Sequence, residues 1–209
     1  MRTFTVPTRP FDDDMRLYSR KMVTFNPGLT TLIGCNGSGK TTLMMLMKDE
    51  LRRDKDVLLL TYNDRSEGQS NLMEALAFRD DMSGVASMFM SSEGERIIRG
   101  VGYFAQGIRK RIQKANPKEI WILLDAVGSG LSIDGIQDIK DLAKVVIEDN
   151  QGTDVYFVVS TNEYEFSIGA DNIDVTTFKH AQFKNYEEYR NFILKTSEKK
   201  QRRYKNEDL

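Results

Sequence analysis

The chain has 209 residues, of which 40% are hydrophobic and 29% charged, and its formal net charge is −1. This composition is typical of one soluble globular domain with a sizeable core, and it argues against a uniformly basic protein that coats DNA. The single cysteine, Cys35, excludes an internal disulfide, and the single histidine, His180, leaves few options for a Ser–His or Cys–His catalytic pair.

Short apolar runs predict the strands. Four of them are apolar at successive positions, as expected for strands covered on both faces of a parallel sheet, and they span residues 30–34, 56–61, 120–124 and 155–160. Two further segments, "RTFTVPT" near the N-terminus and "NIDVTTF" at residues 172–178, are predicted to be edge or accessory strands, and Pro7 suits an edge position.

Helical periodicity alternates with these strands, and it predicts helices over residues 40–53, 92–114, 135–149 and 185–205. In the third helix, Ile136, Ile139, Leu142, Val145 and Val146 fall on one face. The alternation predicts an α/β fold with a mainly parallel sheet flanked by helices. We therefore divide the chain into an α/β domain, residues 1–184, and a helical, basic C-terminal extension, residues 185–209.

No apolar signal segment or 18-residue apolar run is present, so we expect a cytoplasmic protein, or one in the host cytoplasm if the gene is viral. No membrane association is expected.

The strongest motif is "GCNGSGKT", residues 34–41, which matches G-x-x-x-x-G-K-[ST] between a predicted strand and a predicted helix. Its glycines allow successive backbone N–H groups to point at phosphate oxygens, and the helix N-terminus adds partial positive charge. Lys40 is expected to bridge the β- and γ-phosphates of ATP or GTP, and the Thr41 hydroxyl to bind Mg²⁺. A glycine-rich turn without a ligand is the alternative. The predicted nucleotide contacts are Gly34, Asn36, Gly37, Ser38, Gly39, Lys40, Thr41 and Thr42.

Asp125 ends the predicted strand at residues 120–124 and is the candidate second element of the magnesium site. A simple helix or turn cap is the alternative reading of this aspartate.

With these motifs the sequence resembles the ABC-type ATPases, in particular the SMC/RecF-like branch that acts on DNA. The resemblance covers most of residues 20–165 and implies a P-loop NTPase fold, with ATP and Mg²⁺ as cofactors. Only about fifty residues separate Lys40 from Ser92, so the chain is expected to be a minimal ATPase head without coiled-coil arms, compatible with a small ATPase of phage or prophage type.

The resemblance also implies a second half-site. "SEGE", residues 92–95, stands where the family carries a signature that caps the γ-phosphate bound to the other subunit of a head-to-tail dimer, which gives roles to Ser92, Gly94 and Glu95. A helix N-cap explains the same four letters. Ser129 falls in the turn after the magnesium strand, and Gln69 is the candidate for the family's metal-binding glutamine.

Two family positions are altered. Asn162 stands where the family has a histidine that senses the γ-phosphate, and it can donate a hydrogen bond but carries no charge. Ala126 stands where the family has the glutamate that activates the attacking water. Since a general base contributes on the order of 10²–10⁴ in rate, we expect ATP binding with slow hydrolysis. Ala126 is either a natural loss or a deliberate replacement that traps the ATP-bound dimer, and the maintained neighbouring motifs favour replacement.

Tyr18 is a candidate for stacking on adenine, with simple packing as the alternative.

The expected function is an ATPase that forms an ATP-dependent homodimer and acts on DNA or a partner protein such as a nuclease. A P-loop kinase and a non-hydrolysing, ATP-gated regulatory subunit remain as alternatives. A kinase would use an arginine-rich lid, for which "GIRKRIQK", residues 107–114, is a poorly placed candidate. The basic run at residues 199–205 either contacts nucleic acid or is a solvated helix.

Overall fold

The computed structural model describes residues 1–11, 15–63, 107–108, 110–127 and 131–207. Its centre is a six-stranded sheet with the order β4-β5-β6-β3-β7-β8. The strands are β3 (Gly28–Ile33), β4 (Val57–Asn63), β5 (Glu119–Asp125), β6 (Asp154–Ser160), β7 (Asp171–Asp174) and β8 (Lys179–Ala181). All neighbours pair in parallel except β7 and β8, which are antiparallel. The predicted α/β fold with a mainly parallel sheet is confirmed.

The remaining elements cover this sheet. A separate antiparallel pair is formed by β1 (Arg2–Thr5) and β2 (Met22–Phe25). The helices are α1 (Lys40–Leu51), α2 (Ile133–Asp149), the short α3 (Tyr164–Ser167) and α4 (Tyr186–Glu207), and residues 110–115 are also helical. Within the described ranges, no helix is both long enough and apolar enough to cross a membrane.

Side chains of the central strands alternate between two cores, one on each face of the sheet. On β5, Trp121 and Leu123 face the core that contains β1, β2 and α1, whereas Ile120, Ile122 and Leu124 face the core under α2. The Trp121 ring stacks on Tyr156 of the neighbouring strand, with 4.0 Å between ring centroids. This double coverage explains why the interior positions of β5 and β6, residues 120–124 and 155–159, are apolar or aromatic, and it holds the carboxyl ends of both strands in place.

Several element predictions are corrected by the tertiary structure. The "NIDVTTF" segment overlaps β7, which is not an edge strand, because β7 lies between β3 and β8. Strands β2 and β8 were not predicted because they are only four and three residues long, too short for a pattern in the sequence to stand out. Val145 of α2 is 52% exposed, so the apolar face of this helix is narrower than its sequence indicated. Most of the predicted helix over residues 92–114 lies outside the described residues.

Candidate functional site

The "GCNGSGKT" segment connects the end of β3 to the start of α1, at the carboxyl edge of the parallel strands. Ligands of open α/β sheets bind in the crevice at this edge. Residues 34–39 form the loop, and α1 begins at Lys40. Gly39 has a φ of 99°, and a β-carbon there would lie 2.7 Å from Leu17 Cδ2 and 2.9 Å from Tyr18 Cε1. A residue with a side chain would therefore disturb both the backbone and the packing of the loop.

Lys40 lies inside the curve of this loop. Its Nζ donates hydrogen bonds to the backbone oxygens of Gly34, at 2.7 Å, and Cys35, at 3.2 Å, and to Oδ1 of Asn162, at 2.7 Å. Burial of the ammonium group lowers the pKa of Lys40 to about 8; nearby Cys35 and Asp125 oppose this shift, and Lys200 adds to it by repulsion. Lys40 therefore holds a positive charge at the centre of the loop, and nearby negative charge offsets only part of it.

Thr41 and Asp125, which are 84 positions apart in the chain, meet beside Lys40. The Thr41 hydroxyl donates to Oδ1 of Asp125 at 3.2 Å, and Asp125 is only 6% exposed at the end of β5. A hydroxyl and a carboxylate at this separation can both contact one cation. Within the described part of the chain, no group of three or more His, Cys, Asp or Glu side chains is arranged to hold a metal. A Mg²⁺ ion here would therefore need oxygens from a bound phosphate and from water, which is how Mg²⁺ is commonly bound.

Strand order brings Asn162 into the same place. β6 lies between β3 and β5, and Asn162 follows its carboxyl end by two residues. Its amide oxygen accepts from Lys40, and its Nδ2 donates to Oδ1 of Asn36. One neutral amide therefore links the lysine to the outer part of the loop.

The other predicted site residues differ in where they lie. Thr42 and Ala126 border the same cleft as Lys40; Ala126 has a φ of 58° and presents a methyl group. Ser38 is buried at 4% exposure, and its hydroxyl has no hydrogen-bond partner among the described residues. The predicted site residues Gln69, Ser92, Gly94, Glu95 and Ser129 lie outside the described residues.

Tyr18 is a packing residue. It is fully buried, its ring contacts Phe178 with 5.0 Å between centroids, and its hydroxyl donates to the backbone oxygen of Gly39 at 2.8 Å. The ring has no exposed face for an adenine base, so the stacking hypothesis is wrong and the packing alternative is confirmed. Tyr18 instead supports the loop from behind.

A cleft of about 730 Å³ opens above Lys40, Thr41 and Ala126. This volume falls in the range of small-molecule and cofactor sites. Sequence patterns missed one acidic side chain on its wall, Glu163, whose pKa is raised by burial and by the neighbouring Glu165. They also missed Lys200, whose Nζ donates to the backbone oxygen of Asn36 at 2.9 Å. Lys200 belongs to the basic run of the C-terminal helix, and no local pattern indicates which residue of such a run meets the loop.

The architecture defines an α/β protein with a mostly parallel sheet and a polar cleft at its carboxyl edge. No protein-family model matches the chain. Comparison with curated proteins likewise gives no match. The chemistry of the cleft therefore has to be inferred from its own residues.

Proposed function

We propose that the cleft binds the triphosphate of Mg-ATP. The observation that carries this proposal is the meeting of Lys40, Thr41 and Asp125 around one glycine-rich loop at the N-terminus of α1. Lys40 offers an ammonium group, Thr41 and Asp125 offer two oxygens for Mg²⁺, and the start of α1 offers backbone N–H groups. This set matches the charge and the donor requirements of a magnesium triphosphate.

The finer proposal is a P-loop ATPase of the ABC type. It is supported by the order of the motifs along the sequence and by the position of β6, which brings Asn162 between the phosphate loop and Asp125. A side chain at this position is adjacent to the expected place of the γ-phosphate. Asn162 would then donate a hydrogen bond to that phosphate in place of its present bond to Asn36.

Turnover is proposed to be slow because Ala126 carries no oxygen that accepts a proton. Binding does not require this residue, whereas activation of a water molecule does. The same observation favours the second candidate function, a non-hydrolysing subunit that reports ATP binding to a larger complex. The two functions share the nucleotide site and differ in whether a restored glutamate gives turnover.

The proposed working unit is a homodimer in which Ser92 of each subunit contacts the terminal phosphate bound to the other. The output would be action on DNA or on a partner protein. This part rests on the resemblance of "SEGE" to the family signature. The exposed position of Thr41 on the cleft is compatible with a second chain closing over it.

Titration calorimetry and sedimentation velocity test the two parts separately. Mg-ATP should bind to the unsubstituted protein, and Lys40→Ala should weaken binding severely. The control is Lys144→Ala, which removes a 70% exposed lysine from α2. Failure of the unsubstituted protein to bind Mg-ATP would refute the proposed site.

Sedimentation should show an ATP-dependent shift from monomer to dimer. Ser92→Arg should reduce this shift while leaving ATP binding by the monomer unchanged. Association that is independent of ATP would contradict the dimer proposal alone.

A further inference from the structure

The C-terminal helix α4 packs on the α/β domain and reaches the glycine-rich loop. Tyr189, near its start, is 3% exposed and contacts the rings of Tyr164, at 5.5 Å, and Phe183, at 5.2 Å. Two turns further on, Thr196 is buried as well, at 6% exposure. These contacts fix the direction of the helix and place Lys200 next to the loop.

Lys200 contacts the outermost part of this loop. Its Nζ donates to the backbone oxygen of Asn36 at 2.9 Å. A β-carbon at Gly37 would lie 2.5 Å from the same Nζ, and Gly37 has a φ of 73°. A side chain at position 37 would therefore displace the lysine as well as strain the backbone.

The position of Lys200 separates it from direct phosphate contact. Lys200 borders a small cavity of about 20 Å³ behind the loop, together with Cys35 and Ser38. Of the described residues, those that line the large cleft do not include Lys200, whereas Gly37 borders both spaces. Lys200 thus contacts the Asn36–Gly37 peptide from the side of the small cavity, and both residues of this peptide also border the large cleft.

The planarity of the peptide bond links these two sides. No cis peptide occurs among the described residues, and in a trans peptide the carbonyl oxygen and the amide hydrogen point in opposite directions. Because Lys200 holds the oxygen of Asn36, the N–H of Gly37 is turned away from Lys200. In that orientation the N–H is available to an anion.

We propose that Lys200 is a positioning residue, which holds the Asn36–Gly37 peptide so that the Gly37 N–H donates to a phosphate oxygen of the bound nucleotide. The inference rests on the proposed nucleotide site and adds the C-terminal helix to it. The contact between α4 and the loop is then coupled to triphosphate binding. A stronger contact raises the affinity for the triphosphate, and a bound triphosphate stabilises the contact by the same factor.

The first test is the affinity for Mg-ATP, measured by titration calorimetry. Lys200→Ala is expected to raise Kd roughly tenfold, the order expected for loss of a hydrogen bond from a charged donor. Lys200→Arg keeps the charge and donors and should recover much of the affinity. Lys195→Ala is the matched control, because it removes an exposed lysine from the same helix.

The second test is hydrogen exchange in α4. If Lys200 had a purely structural role, Mg-ATP would not change the amide protection of this helix in the way described next. Mg-ATP should increase amide protection in the C-terminal half of α4 in the unsubstituted protein and in Lys195→Ala, but not in Lys200→Ala. Because the unsubstituted protein is measured too, this test holds even if Lys200→Ala folds poorly.

The outcomes separate the two proposals. If the unsubstituted protein does not bind Mg-ATP, the proposed function fails. If it binds, but Lys200→Ala and Lys195→Ala have the same Kd, the role of Lys200 is overturned. Binding without any change of protection in α4 of the unsubstituted protein also overturns it.

Discussion

The buried ammonium group of Lys40 gives a sharp prediction about pH. Its pKa is about 8, mainly because burial disfavours the charged form, so the group is charged at pH 7 and mostly neutral at pH 9. A triphosphate beside Nζ favours the charged form and raises this pKa again. Mg-ATP binding should therefore take up a proton near pH 8, and the affinity should fall as the pH rises through 8.

The size of the effect follows from the position of the pKa. One pH unit above it, about one-tenth of the protein carries a charged Lys40, so the affinity at pH 9 should be roughly tenfold lower than at pH 7, or about 1.4 kcal/mol. At pH 8, where about half of the lysines are neutral, binding should take up about half a proton. The affinity continues to decrease with pH until the pKa of the bound state is reached.

Titration calorimetry of Mg-ATP binding at pH 7, 8 and 9 measures both quantities. Buffers with different ionisation enthalpies give the number of protons taken up. Lys40→Arg is the control, because a guanidinium group stays charged over this range, and its proton uptake near pH 8 should vanish. An affinity that does not change between pH 7 and 9, or equal proton uptake by the Lys40→Arg variant, would refute the reasoning.

Three further predictions concern other parts of the molecule. Thr41→Val removes the hydroxyl that meets Asp125 and should abolish most of the Mg²⁺ dependence of ATP binding, whereas Thr41→Ser should keep it; equal Mg²⁺ dependence in both variants would exclude the hydroxyl as a metal ligand. Ala126→Glu should raise ATP hydrolysis by on the order of 10²–10⁴, measured as phosphate release, and Ala126→Gln, which has no proton acceptor of this strength, should not. No gain with glutamate would instead favour the non-hydrolysing subunit. Trp121→Ala should lower the free energy of unfolding by about 3–5 kcal/mol in urea titrations, because the ring is fully buried between Phe4, Phe25 and Tyr156; a loss below about 1 kcal/mol would contradict that packing.

Local sequence patterns were sufficient to predict the strands that form the middle of the sheet. Residues 120–124 and 155–159 are apolar or aromatic at each position because both faces of β5 and β6 are covered, and this signal can be read without knowing the neighbouring strands. The motif at residues 34–41 is equally local, since its glycines and the start of the following helix are consecutive in the chain. The presence of parallel strands, the loop and the candidate residues Lys40 and Thr41 therefore followed from the sequence alone.

Contacts between distant residues were decided by the tertiary structure. The order of the strands places Asn162 beside Lys40, and packing against Phe178 and the loop buries Tyr18. The docking of α4 selects Lys200 out of a run of similar basic residues. Periodicity describes which face of an element is apolar, but not which other element covers that face. For this reason the glycine-rich loop could be predicted from one stretch of sequence, while the residues that surround it were brought together only by the fold.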